Sequence, residues 1–379
     1  VGDQEQPVHI IGIGTTPLDR QPLGSDEELV VAATRAALAD AGVDVARLTG
    51  LNVQSHHEPG PDVGRIVREL AAPSVRWAPP GGIGVPGLAA AARAAVDGRA
   101  DVIVVCKVMN TATAVNQPDV DPATRLVSGR FQYELPYGLG YTVQRAALVQ
   151  RRWMASRGVT AEQLGTLCSV QRDHALLNDN AVFSKPLTVE EYLASRTICD
   201  PMRLFDCDMP VNGAYAYVVT SDPTLVQPGR AVRLLAHTEG QPDDMPHIRQ
   251  DDYLGIHPRV ARLYGKLGID AGDLSALMLY DGFSYLAAQW LERLGVVAPE
   301  AVGEFIGDRT NLRYDGPAPL NTHGGQLSEG RMHGAGHLIE AVRQLRGDAG
   351  VRQVADPRLV AVTTAFPSTG AVAILGATR

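Results

Sequence analysis

Between Asn321 and His337 the sequence reads NTHGGQLSEGRMHGAGH, a glycine-rich stretch carrying His323, Glu329, Arg331 and His333. An ordinary imidazole titrates at about pH 6.5, which suits His323 and His333 to proton transfer or to a hydrogen bond on a reacting oxygen. Upstream, Tyr280 follows the apolar run ALML and precedes Asp281. A tyrosine at a strand end, facing a crevice, has the placement of an acid–base group. A phenol with a pKa of about 10 is a poor base at neutral pH, but a neighbouring permanent cation favours phenolate. Arg331 is the candidate for that cation, or for an anchor on an acyl or phosphate oxygen. Glu329 is expected to answer the positive end of a helix, and Asp281 to cap or orient a neighbour.

These residues need a scaffold, and the sequence predicts an α/β one. Val8 to Ile13 reads as a buried strand. A helix is expected over about 26–41, with Ser25 and Glu28 forming a capping box and Gly42 ending it. Leu51 to Val53 reads as a strand, WAPPGGIGVPG as a turn, Leu88 to Val96 as an alanine-rich helix, and DVIVV (101–105) as a strand buried on both faces. Strand–helix–strand alternation of this kind predicts a parallel sheet. Residues 110–142 are polar and proline-rich without a lasting period, as expected of a lid or interface loop.

The second half repeats the first. LADAGVDVARLTGLNV (38–53) and YGKLGIDAGDLSALML (264–279) share one plan. So do GGIGVPGLAAAARAAVDGRADVIVV (81–105) and GGQLSEGRMHGAGHLIEAVRQLRG (324–347) with the strand LVAVTTA (359–365). Order and spacing match in both pairs, which predicts a duplication about a pseudo-twofold axis, with halves 1–228 and 229–379. Each glycine-rich loop would feed a helix start, near Val85 and near Gly330. Helix N-termini carry free N–H groups and positive potential, so two of them facing one crevice would hold a developing oxyanion.

Composition narrows the function classes. The 379 residues are 45% hydrophobic and 20% charged, with net charge −8 and no basic stripe, which argues against a nucleic-acid partner. No apolar run reaches the roughly 18 residues of a membrane span, so no membrane association and a cytoplasmic location are expected. Cys106, Cys168, Cys199 and Cys207 show no CxxC spacing, which predicts packed thiols and neither zinc nor disulfides. Asp206, Asp208 and Asn212 read as turn holders, and HHEPG (56–60) as a loop. GIGTT lacks a dinucleotide fingerprint.

The duplicated plan, the glycine-rich helix start and NTHGGQLSEGRMHGAGH (321–337) resemble the thiolase superfamily. RLFDCDMPVNGAYAYVV (203–219) and YDGFSYLAAQWLERLG (280–295) resemble its lipid-transfer-protein branch, which includes steroid side-chain aldolases. The resemblance covers nearly the whole chain. It implies a five-layered αβαβα fold of two halves, usually a homodimer. It also locates what is missing. The nucleophilic cysteine of thiolases falls at Gly81 or Gly82, the GHP motif is Gly330-Arg331-Met332, and the C-terminal loop TTAFPSTGA (363–371) lacks the second cysteine. Covalent acyl transfer needs an activated nucleophile beside a base, and neither is present.

What remains is aldol chemistry, as in the aldolases of this branch. A base takes a β-hydroxyl proton, the carbon–carbon bond breaks into a thioester enolate, and an acid protonates carbon. The resemblance assigns one tyrosine of that mechanism to Tyr280 and the other to the position of Arg331. Catalytic expectations therefore fall on Tyr280, His333, Arg331 and His323. Substrate and CoA contacts are expected at Gly81, Gly82, Gly84, Asp281, Gly324, Gly325 and Gly330. The expected substrate is a coenzyme A thioester, with no bound cofactor and no metal. An OB-fold, zinc-ribbon acyl-CoA-binding protein is the expected partner. A condensing enzyme or acyltransferase using the same pocket, and a non-catalytic acyl-CoA or lipid carrier, remain as alternatives.

Overall fold

A computed structural model of the protein describes residues 6–55, 60–79, 81–82, 84–110, 131–239, 257–367 and 370–378. Most of the expected loop at 110–142 and of HHEPG therefore lies outside the described residues. The strands are β1 (Val8–Thr15), β2 (Gly50–Gln54), β3 (Val102–Asn110), β4 (Thr197–Cys199), β5 (Met202–Arg203), β6 (Asn212–Thr220), β7 (Val232–Thr238), β8 (Ala276–Met278), β9 (Leu359–Thr364) and β10 (Ala371–Ala377). Eight of them link in the order β2-β3-β6-β1-β7-β10-β9-β8. The pairing is symmetric about the β1–β7 contact. The outermost pairs, β2–β3 and β8–β9, are parallel, and every pair between them is antiparallel.

The sheet is thus mixed, not parallel as the sequence predicted. A strand buried on both faces gives the same unbroken apolar run whichever way its neighbour points, so DVIVV could not reveal direction. Several elements also extend further than expected. Helix α1 (Asp26–Ala41) has the predicted Ser25/Glu28 capping box and a left-handed Gly42. Helix α2 (Val63–Leu70) follows, and α3 (Val85–Val96) begins earlier than predicted, on Gly84.

Strand alternation separates three cores and so five layers. Val102, Val104, Cys106 and Val108 of β3 pack with α1, whereas Ile103, Val105 and Met109 face the opposite way, toward α3. In the second half, Val360 and Val362 of β9 face the α3 side, while Ala361 joins the helices Ala161–Ala175 and Ser284–Arg293. The middle layer is α3 and the helix Ala335–Arg346, buried from both sides through Leu88, Ala91, Leu338 and Val342. Burying each large aliphatic side chain there contributes about 1.5–3 kcal/mol. The alanines let the helix backbones approach the strands.

Candidate active site

Tyr280 leaves the end of β8 in a fixed position. Its N–H donates to Thr363 Oγ1 at 2.8 Å, on β9. One residue earlier, the Asn321 side chain clamps Leu279, accepting from its N–H at 2.7 Å and donating to its carbonyl at 2.8 Å. The phenol ring folds over Gly282, where a Cβ would sit 2.9 Å from Tyr280 Cε1 and 3.2 Å from its hydroxyl.

Three chain segments are zipped together beside that ring. Asp208 N–H donates to Gly282 O at 3.3 Å, Met209 N–H to Gln326 O at 3.2 Å, and Arg331 N–H to Met209 O at 2.8 Å. This places Asp208 against Arg331. Arg331 Nε and Nη2 both donate to Asp208 Oδ1, at 2.8 and 2.6 Å. Asp208 is therefore an ion-pair partner, not the turn holder the sequence suggested. Asp206 does hold a turn, accepting from Arg203 N–H and the Tyr192 hydroxyl, each at 2.7 Å, and from Ser284.

Burial pushes the Tyr280 phenol above its ordinary pKa; Asp208 adds to that push, and Arg331 opposes it. Arg331 thus does not liberate phenolate, because burial, with Asp208 adding to it, outweighs its pull. Burial also raises the Asp208 carboxyl, with Arg331 pulling it back. The amide of Gln326, itself buried, completes the surroundings of the phenol.

A second polar cluster lies on the other side of the glycine-rich stretch. Asp281 is fully buried and accepts from Gln326 N–H at 2.9 Å and Leu327 N–H at 3.3 Å, capping the single turn Gly325–Ser328. His337 Nε2 lies 3.1 Å from Asp281 Oδ1. The His323 ring meets the His337 ring edge-on with centroids 4.9 Å apart, and its Nε2 is 3.7 Å from Glu329 Oε2. Glu329 Oε1 accepts from Asn178 Nδ2 at 3.0 Å and the Tyr215 hydroxyl at 3.1 Å. Burial drives His323 well below the usual histidine range, with His337 adding to the effect, and pushes Glu329 up to about 7. His323 is thus a neutral, enclosed imidazole. His333 sits half-buried in a turn at φ 47°, just before the helix Ala335–Arg346.

The helix starts do converge, and that of α3 is filled. The C-terminal helix begins at Ala335 on Gly334, not near Gly330, which forms part of the preceding turn at φ 146°. At α3, Gly84 N–H donates to Gln54 Oε1 at 3.3 Å, Val85 N–H to Thr364 Oγ1 at 2.9 Å, and Gly87 N–H to Gly84 O at 3.1 Å. The remaining residue of that turn, Pro86, has no N–H. A Cβ on Gly84 would meet Thr364 Oγ1 at 2.4 Å, and one on Gly334 would meet the same atom at 3.3 Å. Thr364 therefore plugs the space between the two halves. Gly81 and Gly82 pack on Gln54 and Gly87, and Gly324 on Ala175. Gly325 lies against Asp281, and Gly330 against Val211. The Arg331 guanidinium is a cation lying outside these helix tips, in the cluster with Asp208 and Tyr280.

A model of the thiolase C-terminal domain-like family matches residues 259–377. The steroid side-chain-cleaving aldolase of Thermomonospora curvata is 33% identical, with 98% of each chain covered. The 17-hydroxy-3-oxo-4-pregnene-20-carboxyl-CoA lyase of Mycobacterium tuberculosis is also 33% identical, over 96% of this chain and 98% of the relative. The solved Ltp2-ChsH2(DUF35) aldolase superposes with a TM-score of 0.87 at 30% identity, over all of both chains. The chain belongs to the thiolase superfamily.

In this thiolase-superfamily member three of the four cysteines are buried thiols unsuited to replace the missing nucleophile. Burial raises the thiols of Cys106, Cys168 and Cys207, and Cys168 and Cys207 donate to the backbone carbonyls of Phe205 and Arg203. No group of side chains able to hold a metal ion occurs among the described residues, and no described helix is long and apolar enough to cross a membrane. Sequence reasoning missed Asp208, Gln326, His337 and Thr364. For Asp208 one signal existed, an acidic residue just before an inward-facing strand in a chain whose glycine-rich stretch carries an arginine.

Proposed function

We propose that the protein is a carbon–carbon lyase that cleaves a β-hydroxyacyl-CoA by a retro-aldol step, giving a shorter acyl-CoA and a ketone or aldehyde. The observation that carries this is the Tyr280–Asp208–Arg331 cluster in a thiolase fold whose nucleophile position holds glycine and whose C-terminal loop lacks the second cysteine. Acid–base groups are present where covalent chemistry has no residue to use. Tyr280, held protonated by burial, supplies the proton that the enolate carbon receives. Arg331, its side chain 24% exposed, faces the negative charge that collects on the thioester oxygen.

The relatives' names point to a bulky acyl group of the steroid side-chain class. The solved aldolase that this chain matches includes a DUF35 component. We take a homodimer working with a DUF35-type acyl-CoA-binding protein as the functional unit. The retained ionisable cluster favours an enzyme over a lipid carrier, because a carrier gains nothing from a buried carboxylate that must be compensated.

Incubation with a series of β-hydroxyacyl-CoAs, with and without a DUF35 partner, tests the reading by product analysis. Release of a carbonyl compound together with a shortened acyl-CoA is expected. Tyr280→Phe should lower kcat/KM by roughly 10²–10⁴ while leaving the fold intact. Acyl label retained on denatured protein would instead establish a covalent transferase. Tight thioester binding without any turnover would establish a carrier.

A further inference from the structure

Aldol cleavage needs a base for the β-hydroxyl, and the reading above leaves it unnamed. Asp281, Glu329 and His323 are closed off. Asp281 is wholly buried, with both oxygens engaged in the Gly325–Ser328 cap. Glu329 is 2% exposed and bonded to Asn178 and Tyr215. His323 is 1% exposed and faces His337 and Glu329. Asp208 differs in two respects. Both Arg331 hydrogen bonds land on Oδ1, so Oδ2 accepts none among the described residues. Its side chain also keeps 8% exposure next to the more open Arg331.

We propose, resting on the aldolase reading, that Asp208 Oδ2 is the base that takes the proton of the substrate's β-hydroxyl, with Arg331 fixing the carboxylate through Oδ1. The O–H proton passes to Asp208 as the carbonyl forms. The Cα–Cβ electron pair moves onto the thioester as an enolate, and Tyr280 gives its proton to Cα. Asp208 then holds the proton that Tyr280 has lost, and transfer between the two restores both groups. No outside oxidant or co-reactant is needed. The two-atom grip on one oxygen explains why an arginine serves here. A lysine would supply one bond and leave the carboxylate free to turn.

The groups facing Asp208 are Arg331, Tyr280, Asp281 and Cys207. Of these, Arg331 is the cation that opposes the rise burial gives the Asp208 carboxyl. The test compares pH profiles of kcat/KM for wild type, Asp208→Asn, Asp208→Glu and Arg331→Gln, using a β-hydroxyacyl-CoA that the wild type cleaves. Asp208→Asn is isosteric and can still accept from Arg331. It should lose at least about 100-fold in kcat and lack the acid limb, with KM within threefold and unchanged melting. Asp208→Glu should restore part of the rate and the limb. Arg331→Gln should move the limb to higher pH, because the charge that lowers the Asp208 pKa is gone. An Asp208→Asn enzyme within tenfold of wild type with the limb intact would overturn the assignment yet leave the aldolase reading standing. A wild type that cleaves no β-hydroxyacyl-CoA would fail the aldolase reading itself, and this inference with it.

Discussion

Two polar clusters flank the same glycine-rich stretch, and they have opposite characters. On one side a neutral phenol, Tyr280, stands beside the Asp208–Arg331 ion pair, asymmetric in its bonding and partly open. On the other, Asp281, His337, His323 and Glu329 are enclosed, with at most 2% exposure each. The second cluster has the richer inventory of conventional catalytic side chains, two histidines and two carboxylates. It is nevertheless the scaffold. It caps the turn at Gly325–Ser328 and sits against the first turn of the central helix, while the plainer cluster is the one proposed to meet the substrate. Residue type gives the chemical repertoire, and an unoccupied lone pair with access to solvent gives the opportunity.

Matched glycine substitutions test this contrast most severely. A Cβ on Gly282 would press within 2.9 Å of the Tyr280 ring, and one on Gly336 would lie 2.6 Å from Glu329 Oε2. Gly282→Ala should displace the phenol and lower turnover by roughly 10–100-fold, since misplacement of about 1 Å costs up to about 10²-fold, with little change in melting. Gly336→Ala should do the reverse, costing about 1–3 kcal/mol of stability with kcat within threefold. Steady-state kinetics and denaturant unfolding on both variants decide it. Equal kinetic losses would mean that the two clusters are one site.

Next in size is the charge state of Glu329. Its folded pKa of about 7 lies above the ordinary 4.5, so the fold prefers the neutral carboxyl. Below about pH 4.5 both folded and unfolded forms are protonated and nothing is lost. Between about pH 4.5 and 7 the unfolded chain has released a proton that the folded chain still holds, so stability falls across that window and the loss is complete above about 7. Glu329→Gln keeps an acceptor for Asn178 and Tyr215 and removes this dependence. Urea unfolding should show a gain of roughly 3 kcal/mol at pH 8 and little at pH 4.5. An equal gain at both values would mean that the carboxyl is already compensated when ionised.

Much of this architecture was legible in the sequence. The Ser25/Glu28 box, the Gly42 stop and the repeated helix–glycine–strand plan are local signals, and local hydrogen bonding made them true. Strand direction was not legible, because burial on both faces erases the periodicity that would mark it. Within the site, Tyr280 and Arg331 were identified and do share a cluster, but Asp208 was not. Its meaning depends on a partner far along the chain, brought to it by the Met209–Arg331 and Met209–Gln326 backbone bonds. The filling of the helix tips was invisible for the same reason. Thr364 reads as one more polar residue after a strand until the other half of the molecule supplies Val85.

That threonine gives the smallest and last contrast, between a helix tip that is free and one that is plugged. Thr364→Val keeps the shape and removes the acceptor of Val85 N–H, which is buried between the halves. The expected cost is about 1–2 kcal/mol, the loss of a capping bond, and Thr364→Ser should recover most of it. On the proposal that Arg331 rather than α3 holds the thioester oxygen, turnover should be unchanged per folded molecule. If Thr364→Val loses no stability and cleaves faster, the freed N–H is working on the substrate. The oxyanion site would then belong to the helix tip, as the sequence first suggested, and the hydroxyl would be a brake on it rather than a cap.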